Sequence, residues 1–415
     1  MDKIKAKYIY NNLHKLSAIE FDTLYNKFLD RENRIVSPVT LMINKGDKGT
    51  TNIEMITFDG MKPLKYNQIG VNVLPGMKIM RLEQLSHNII AILSDDEYED
   101  EGYYKQIINI DTKKVLFTFN NAVRNVIVRD KLYVIYFNGR CDIYSLESKK
   151  KMNSIAVDKD TTYVHITDPH IICLSFTSIS IIDTNTDAKE ILVEYDSYLE
   201  HYFVGDSVLL FTNVETVIKI NVNGQKTVLD MRRIMEKYFV KKSQLFGDLL
   251  VTIWEIKESQ KDEIKITIID AVDMSIKEEY DIPSSLHDYK YIDILSTKLL
   301  IGLSKTCFSL FDIKGNILAG ANNEMFSASF DYLKKGIIIL SDTEVLVEYG
   351  VGFYHYYTIQ QNKDRYQLVK KEESIQIDKY VILHPNPKDM KKIMKDINIS
   401  IININIKNLI TKFLL

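Results

Sequence analysis

One phrase recurs along the chain and restricts what it can fold into. In residues 178–195, SISIIDTNTDAKEILVEY, an apolar β-branched run meets a polar Asp-Thr-Asn-Thr-Asp cluster and leaves as a second alternating run. That is the signature of a strand, a tight turn and a returning strand. Seven other stretches repeat it, so that hairpins are predicted near Asp59, Asp111, Glu147, Asp183, Asn223, Asp270, Lys314 and Asn362. The steps between them run from 36 to 52 residues, with a mean close to 43.

Two further apolar runs precede most of these hairpins. The turns between them are signalled at Arg129-Asp130, Asp168-Pro169, Gly205-Asp206, Gly247-Asp248 and Ser296-Thr297. One unit is therefore four short strands. A four-stranded sheet cannot bury both faces alone, whereas blades packed side by side cover one another.

In period and strand pattern, residues 35–384 resemble the β-propellers of the WD40-like type. No Trp-Asp or Gly-His dipeptide recurs, kelch double glycines are absent, and Trp254 is the single tryptophan. The resemblance implies an all-β chain of seven or eight four-stranded blades over residues 34–384. Two β-sandwich or barrel domains are the alternative, but near-constant spacing over seven steps favours blades. The first unit shows only three strands, and residues 380–384, YVILH, are expected to supply the fourth.

The ends read differently. Residues 1–33 form a helical segment, with Ser17 and Glu20 as a capping box and Phe21, Leu24, Tyr25 and Phe28 on one face. It serves as a plug packed on the propeller or as a helix that docks a partner. Residues 385–415, set off by Pro385 and Pro387, form an apolar tail that reads either way: Met390, Ile393, Met394 and Ile397 fall on one helical face, while Ile397, Ile399 and Ile401, then Ile402, Ile404 and Ile406, alternate as strands do. Such a β-prone run must be covered by its own protein or by a partner, so the tail is a candidate contact.

Composition narrows the function. There are 53 basic and 56 acidic side chains, giving a net charge of -3, so no broad cationic field exists to hold nucleic acid. No apolar run is long enough to span a membrane, and the N-terminus shows no signal peptide. Cys141, Cys173 and Cys307 lie far apart in strand-like runs, which fits a reducing interior and the cytoplasm. The abundance of Ile, Asn, Lys and Tyr suggests an AT-rich genome, such as that of a large DNA virus or a protist.

The sequence carries no catalytic motif: no phosphate-binding glycine loop, no His-Glu-x-x-His, no Cys-x-x-Cys and no nucleophile elbow. The eight histidines are scattered, only His165 and His170 being close. No metal or cofactor is called for. Two stretches are candidate binding elements. Asp95, Asp96, Glu97, Glu99, Asp100 and Glu101 make an acidic loop that suits a basic partner. Tyr354 and Tyr356, in GFYHYYTI, offer an aromatic strand for stacking or partner contact. The expected function is a non-enzymatic protein-interaction scaffold, in the cytoplasm or as a component of an intracellular or viral assembly. The alternative is a propeller hydrolase or lyase whose acidic or histidine side chains converge on a central channel.

Overall fold

Strand propensity and turn chemistry translate directly into the architecture. The computed structural model describes residues 39–44, 52–58, 65–70 and, apart from short turns and residues 97–103, 258–262 and 323–335, residues 77–383. These form eight antiparallel sheets of four strands each, the blades of a β-propeller. The sequence-predicted N-terminal helix, the C-terminal tail and the turn at Asp59 lie outside the described residues.

The chain divides into two compact units. One holds Arg34–Lys159 and the chain from Asp378, and contains blades 1 to 3. Blade 1 combines Val39–Asn44, Asn52–Phe58 and Lys65–Gly70 with the late strand Lys379–Leu383, which pairs with Val39–Asn44. Blade 2 runs from Met77–Ser86 to Lys114–Asn120 and blade 3 from Ala122–Val128 to Lys151–Ala156. The other unit, Asp160–Ile377, contains blades 4 to 8. Their first and last strands are Thr161–Thr167 and Lys189–Glu194, Tyr198–Val204 and Lys226–Asp230, Tyr238–Phe246 and Ser275–Ile282, Tyr289–Ile294 and Ile317–Asn322, and Ile337–Ser341 and Arg365–Gln376.

Position within a blade decides composition. The two middle strands are covered on both faces and are mostly apolar: Ser207–Thr212 is buried throughout, and so is Ile264–Ile269, with Lys265 and Thr267 among its residues. Fourth strands are edges. Four of them open on lysine, at Lys114, Lys151, Lys189 and Lys226, and bulges interrupt their pairing in blades 2, 3, 4, 6 and 7. Charge and bulges both discourage pairing with another chain.

The hairpins close on side-chain caps. At the end of the third strand, the carboxylates of Asp183, Asp270 and Asp312 and the amide oxygen of Asn221 each accept two backbone N–H bonds from the turn that follows. This is the local reason the polar cluster turns the chain. A second cap recurs at the end of the second strand. There Ser175 accepts from Ser178 N–H at 2.9 Å, Ser304 accepts from Cys307 N–H at 3.1 Å, and Thr212 donates to the Thr216 carbonyl at 3.1 Å.

The apolar faces of neighbouring blades form the core. Between blades 5 and 6, Phe211, Val217, Leu250 and Trp254 pack with Ile234 and Met235 from a single helical turn, α1 (Arg232–Met235). Between blades 2 and 3, Ala91, Ile107, Ile127, Leu132 and Val134 do the same. Cys141 and Cys173 are buried, Cys307 is half-buried, and none is in a disulfide.

Candidate recognition site on the first strands of blades 4 to 7

The first strands of blades 4 to 7, TTYVHIT, YLEHYFV, YFVKKSQLF and YKYIDI, are rich in aromatic and polar residues, and in the second and third of these most side chains are half-buried. Each also carries one extra residue. Pairing with the second strand slips between Thr161 and Tyr163, Tyr198 and Glu200, Val240 and Lys242, and Tyr289 and Tyr291. A bulge turns the following side chains and increases local twist. Tyr163, Glu200, Lys242 and Tyr291 consequently occupy equivalent places in four consecutive blades.

These strands meet side by side. The rings of Tyr163 and His201 have centroids 4.0 Å apart, and His165 stacks on Phe203 at 4.5 Å. Between blades 5 and 6, Tyr202 donates to Glu200 at 2.6 Å and contacts Ser243 at 2.8 Å, while Ser243 also donates to Glu200. Between blades 6 and 7, Lys242 bonds Asp293. Lys241, the bulge residue, reaches back to Glu255 at 3.1 Å.

The electrostatics favour a fixed array. Burial, reinforced by the Glu200 carboxylate, pushes the Tyr202 hydroxyl above its ordinary pKa, so it stays a donor. Glu200 receives two hydroxyls, and Asp293 and Glu255 each face an ammonium. Glu200 and Asp293 thus tie strands of neighbouring blades, and Glu255 ties two strands of blade 6. Among the described residues, no group of three or more His, Cys, Asp or Glu is placed to hold a metal ion. His165 does not join His170; it is buried against Phe203.

The two sequence-predicted binding elements lie elsewhere. Asp95 and Asp96 end the second strand of blade 2, paired with Lys78 and Met77, while Glu97, Glu99, Asp100 and Glu101 fall outside the described residues. Tyr354 and Tyr356 are only 1% and 2% exposed. This corrects the expectation of an aromatic surface. They lie on a middle strand of blade 8, where Tyr356 donates to the buried Glu344 and Tyr357 packs on Phe308 with ring centroids 5.1 Å apart. The first-strand array was not among the sequence-predicted residues, because a single inserted residue shifts the alternation by one and hides the equivalence of Tyr163, Glu200 and Lys242.

No family model and no curated protein matches the chain. Solved structures do. Apo AztD from Citrobacter koseri is similar over 84% of this chain and 99% of its own, at 12% identity with a TM-score of 0.52. Hsv2 from Kluyveromyces lactis aligns over 73% of this chain and 100% of its own, at 12% identity and a TM-score of 0.48. At such identity the likeness to AztD speaks for the β-propeller fold and for nothing beyond it. No helix among the described residues is long and apolar enough to cross a membrane.

Proposed function

We propose that this chain is a non-enzymatic scaffold that binds a protein partner, in the cytoplasm or within an intracellular or viral assembly. The observation that carries this reading is the first-strand array: its carboxylates are tied to hydroxyls and ammonium groups, and its rings pair across neighbouring blades. Tyrosine, histidine and paired charges on a rigid frame give shape and hydrogen bonding without losing much side-chain freedom, which suits recognition. Leu199, the bulge residue of blade 5, is 48% exposed beside Glu200, and Phe239 in blade 6 is 43% exposed. They are the apolar anchors that such a surface needs.

The test is to cross-link the protein in its native source, identify the attached protein by mass spectrometry, and repeat with three folded variants. Leu199→Asp and Phe239→Asp should each abolish the cross-link, whereas Ile191→Asp on the fourth strand of blade 4 should leave it intact. A cross-link that survives both first-strand changes would reject the site. Turnover of a small substrate that depends on Glu200 would reject the non-enzymatic reading.

A further inference from the structure

The outer edge of blade 5 lacks a guard that most of the others carry. Bulges interrupt the pairing of third and fourth strands in blades 2, 3, 4, 6, 7 and 8, whereas Lys226–Asp230 runs in unbroken register with Thr216–Asn221. Blade 1 shares that regularity, but its fourth strand, Lys65–Gly70, has no acidic residue to answer its lysine. Among the described residues Lys226–Asp230 pairs with Thr216–Asn221 alone, so its far side is an open edge. A regular, exposed edge is a template for another strand.

The phase of the ladder decides which backbone groups that edge offers. Asn221 N–H bonds the Gln225 carbonyl and Met231 N–H bonds the Glu215 carbonyl, at the two ends of the pairing. In an antiparallel ladder every second pair of residues exchanges such bonds. Gln225, Thr227, Leu229 and Met231 therefore bond inward, and the N–H and C=O groups of Lys226, Val228 and Asp230 point outward. The side chains of these three share one face and are exposed, Val228 by 50%. Leu229, on the other face, packs against the core between blades 5 and 6.

The segment KTVLD answers itself. When a second copy is turned about a two-fold axis at Val228, the strands run antiparallel with valine opposite valine and Lys226 opposite Asp230 at both ends. All three of these pairs join outward-pointing residues, so hydrogen bonding and charge demand the same register. A slip of one residue sets outward groups against inward ones, and a parallel arrangement sets lysine on lysine. Arg232 already bonds the Asp230 carboxylate, its Nε 3.1 and 3.0 Å from the two oxygens. The second copy's Lys226 therefore selects the register more than it adds strength.

We propose that Lys226–Asp230 is the contact through which two copies of this chain pair edge to edge, joining two blades into one eight-stranded sheet. Such a contact is isologous and closes on itself, so it stops at the dimer. Five paired residues make a small interface, and the dimer dissociates on dilution.

The test is sedimentation equilibrium of the full-length protein over a dilution series, with amide hydrogen exchange read on the same samples. The protein should pass from monomer to dimer as concentration rises, and exchange at Lys226, Val228 and Asp230 should slow in step. Val228→Pro removes an outward N–H and no bond to Thr216–Asn221, so it should abolish the dimer while circular dichroism still reports the folded protein. Lys226→Asp should weaken the dimer at least about tenfold, because both symmetry-related pairs turn repulsive, and adding Asp230→Lys should restore it. A monomer at every concentration up to about 1 mM would overturn the proposal. So would a dimer that both Val228→Pro and Lys226→Asp leave intact. Slow exchange at the three amides already in the monomer would put another segment of this chain on the edge, and overturn it equally.

Discussion

Thr40 and Leu383, from opposite ends of the repeat, lie opposite each other in neighbouring antiparallel strands of blade 1. The late strand supplies the first position of a blade whose other three strands come from the beginning. Leu383 is 5% exposed and packs with Ile53, Leu82 and Ile92. Local hairpins alone leave three strands with an open edge there; a long-range pair completes the sheet.

Removing that pair should cost the whole of blade 1. A chain ending at residue 375 is expected to aggregate or to be degraded, because Val39–Asn44 becomes an unpaired edge. Leu383→Ala should lower stability by about 3 kcal/mol, the usual cost of a buried leucine truncation, measured by urea unfolding. A stable, soluble fragment lacking residues 376–415 would sink this account.

Glu348 staples two turns of blade 8. It is fully buried, and its two carboxylate oxygens accept N–H bonds from Gly336 and Gly352, each at 2.9 Å. Both glycines have positive φ, +65° and +76°, and a Cβ on Gly336 would come within 2.6 Å of the Tyr291 ring. Gly336→Ala should therefore cost about 3 kcal/mol or more, from backbone strain and overlap together. Glu348→Leu leaves the buried Gly336 N–H and the part-buried Gly352 N–H unpaired and should cost about 1–3 kcal/mol. Thermal unfolding of the two variants checks both values.

Lys105 makes stability depend on alkaline pH. Burial lowers its pKa from 10.5 to about 8, Glu83 opposing and Arg124 and Arg81 adding to the shift. Between pH 8 and 10.5 the unfolded chain holds a proton that the folded chain has released, so stability rises with pH across that window. The gain for this one group is about 3 kcal/mol. Urea unfolding at steps from pH 7 to 10 should show it, and Lys105→Met should flatten the profile. An unchanged slope in that variant would assign the dependence to other groups.

His355 acts at the acid end. Burial, with Lys370 nearby, lowers its pKa from 6.5 to about 4, and its ring stacks on Tyr349 with centroids 3.7 Å apart. From pH 6.5 down to 4 the unfolded chain takes up a proton that the folded chain refuses, so stability falls with pH. His355→Phe should keep the stack and remove this loss, as read by thermal unfolding at pH 7 and at pH 5.

Trp254, the only tryptophan, reports directly on the interface of blades 5 and 6. It is fully buried and donates to the Thr267 hydroxyl at 2.8 Å. Its emission should be blue-shifted when folded and move red in one step with unfolding. Thr267→Val removes the acceptor and should cost about 1–3 kcal/mol. A red emission in the native protein would contradict the burial.

Much of the fold is legible because it is local. At the seven sequence-predicted hairpins beyond Asp59, third and fourth strands pair from Asn109–Lys114 to Asn362–Arg365, and at five of them a capping Asp or Asn at the strand end bends the chain without help from distant residues. First and second strands also pair on either side of all five signalled turns. YVILH was legible as a missing strand because the first unit came up one short.

What escaped depends on partners far away in sequence. Tyr354 and Tyr356 look the same whether a strand is an edge or a middle strand, and only the sheet order shows that theirs is a middle one. The bulges at Leu199 and Lys241 are invisible to a period-two pattern, yet they align Glu200 with Lys242 and let Ser243 and Tyr202 share one carboxylate. Lys105 likewise reads as one more lysine until two blades close over it. The sequence by itself determined the repeat, the strands and their turns, because these follow from side-chain alternation and from caps that act over a few residues. Only the tertiary structure decided which strands are covered, which polar groups meet and where charge is trapped, because those depend on the faces that neighbouring blades turn toward each other.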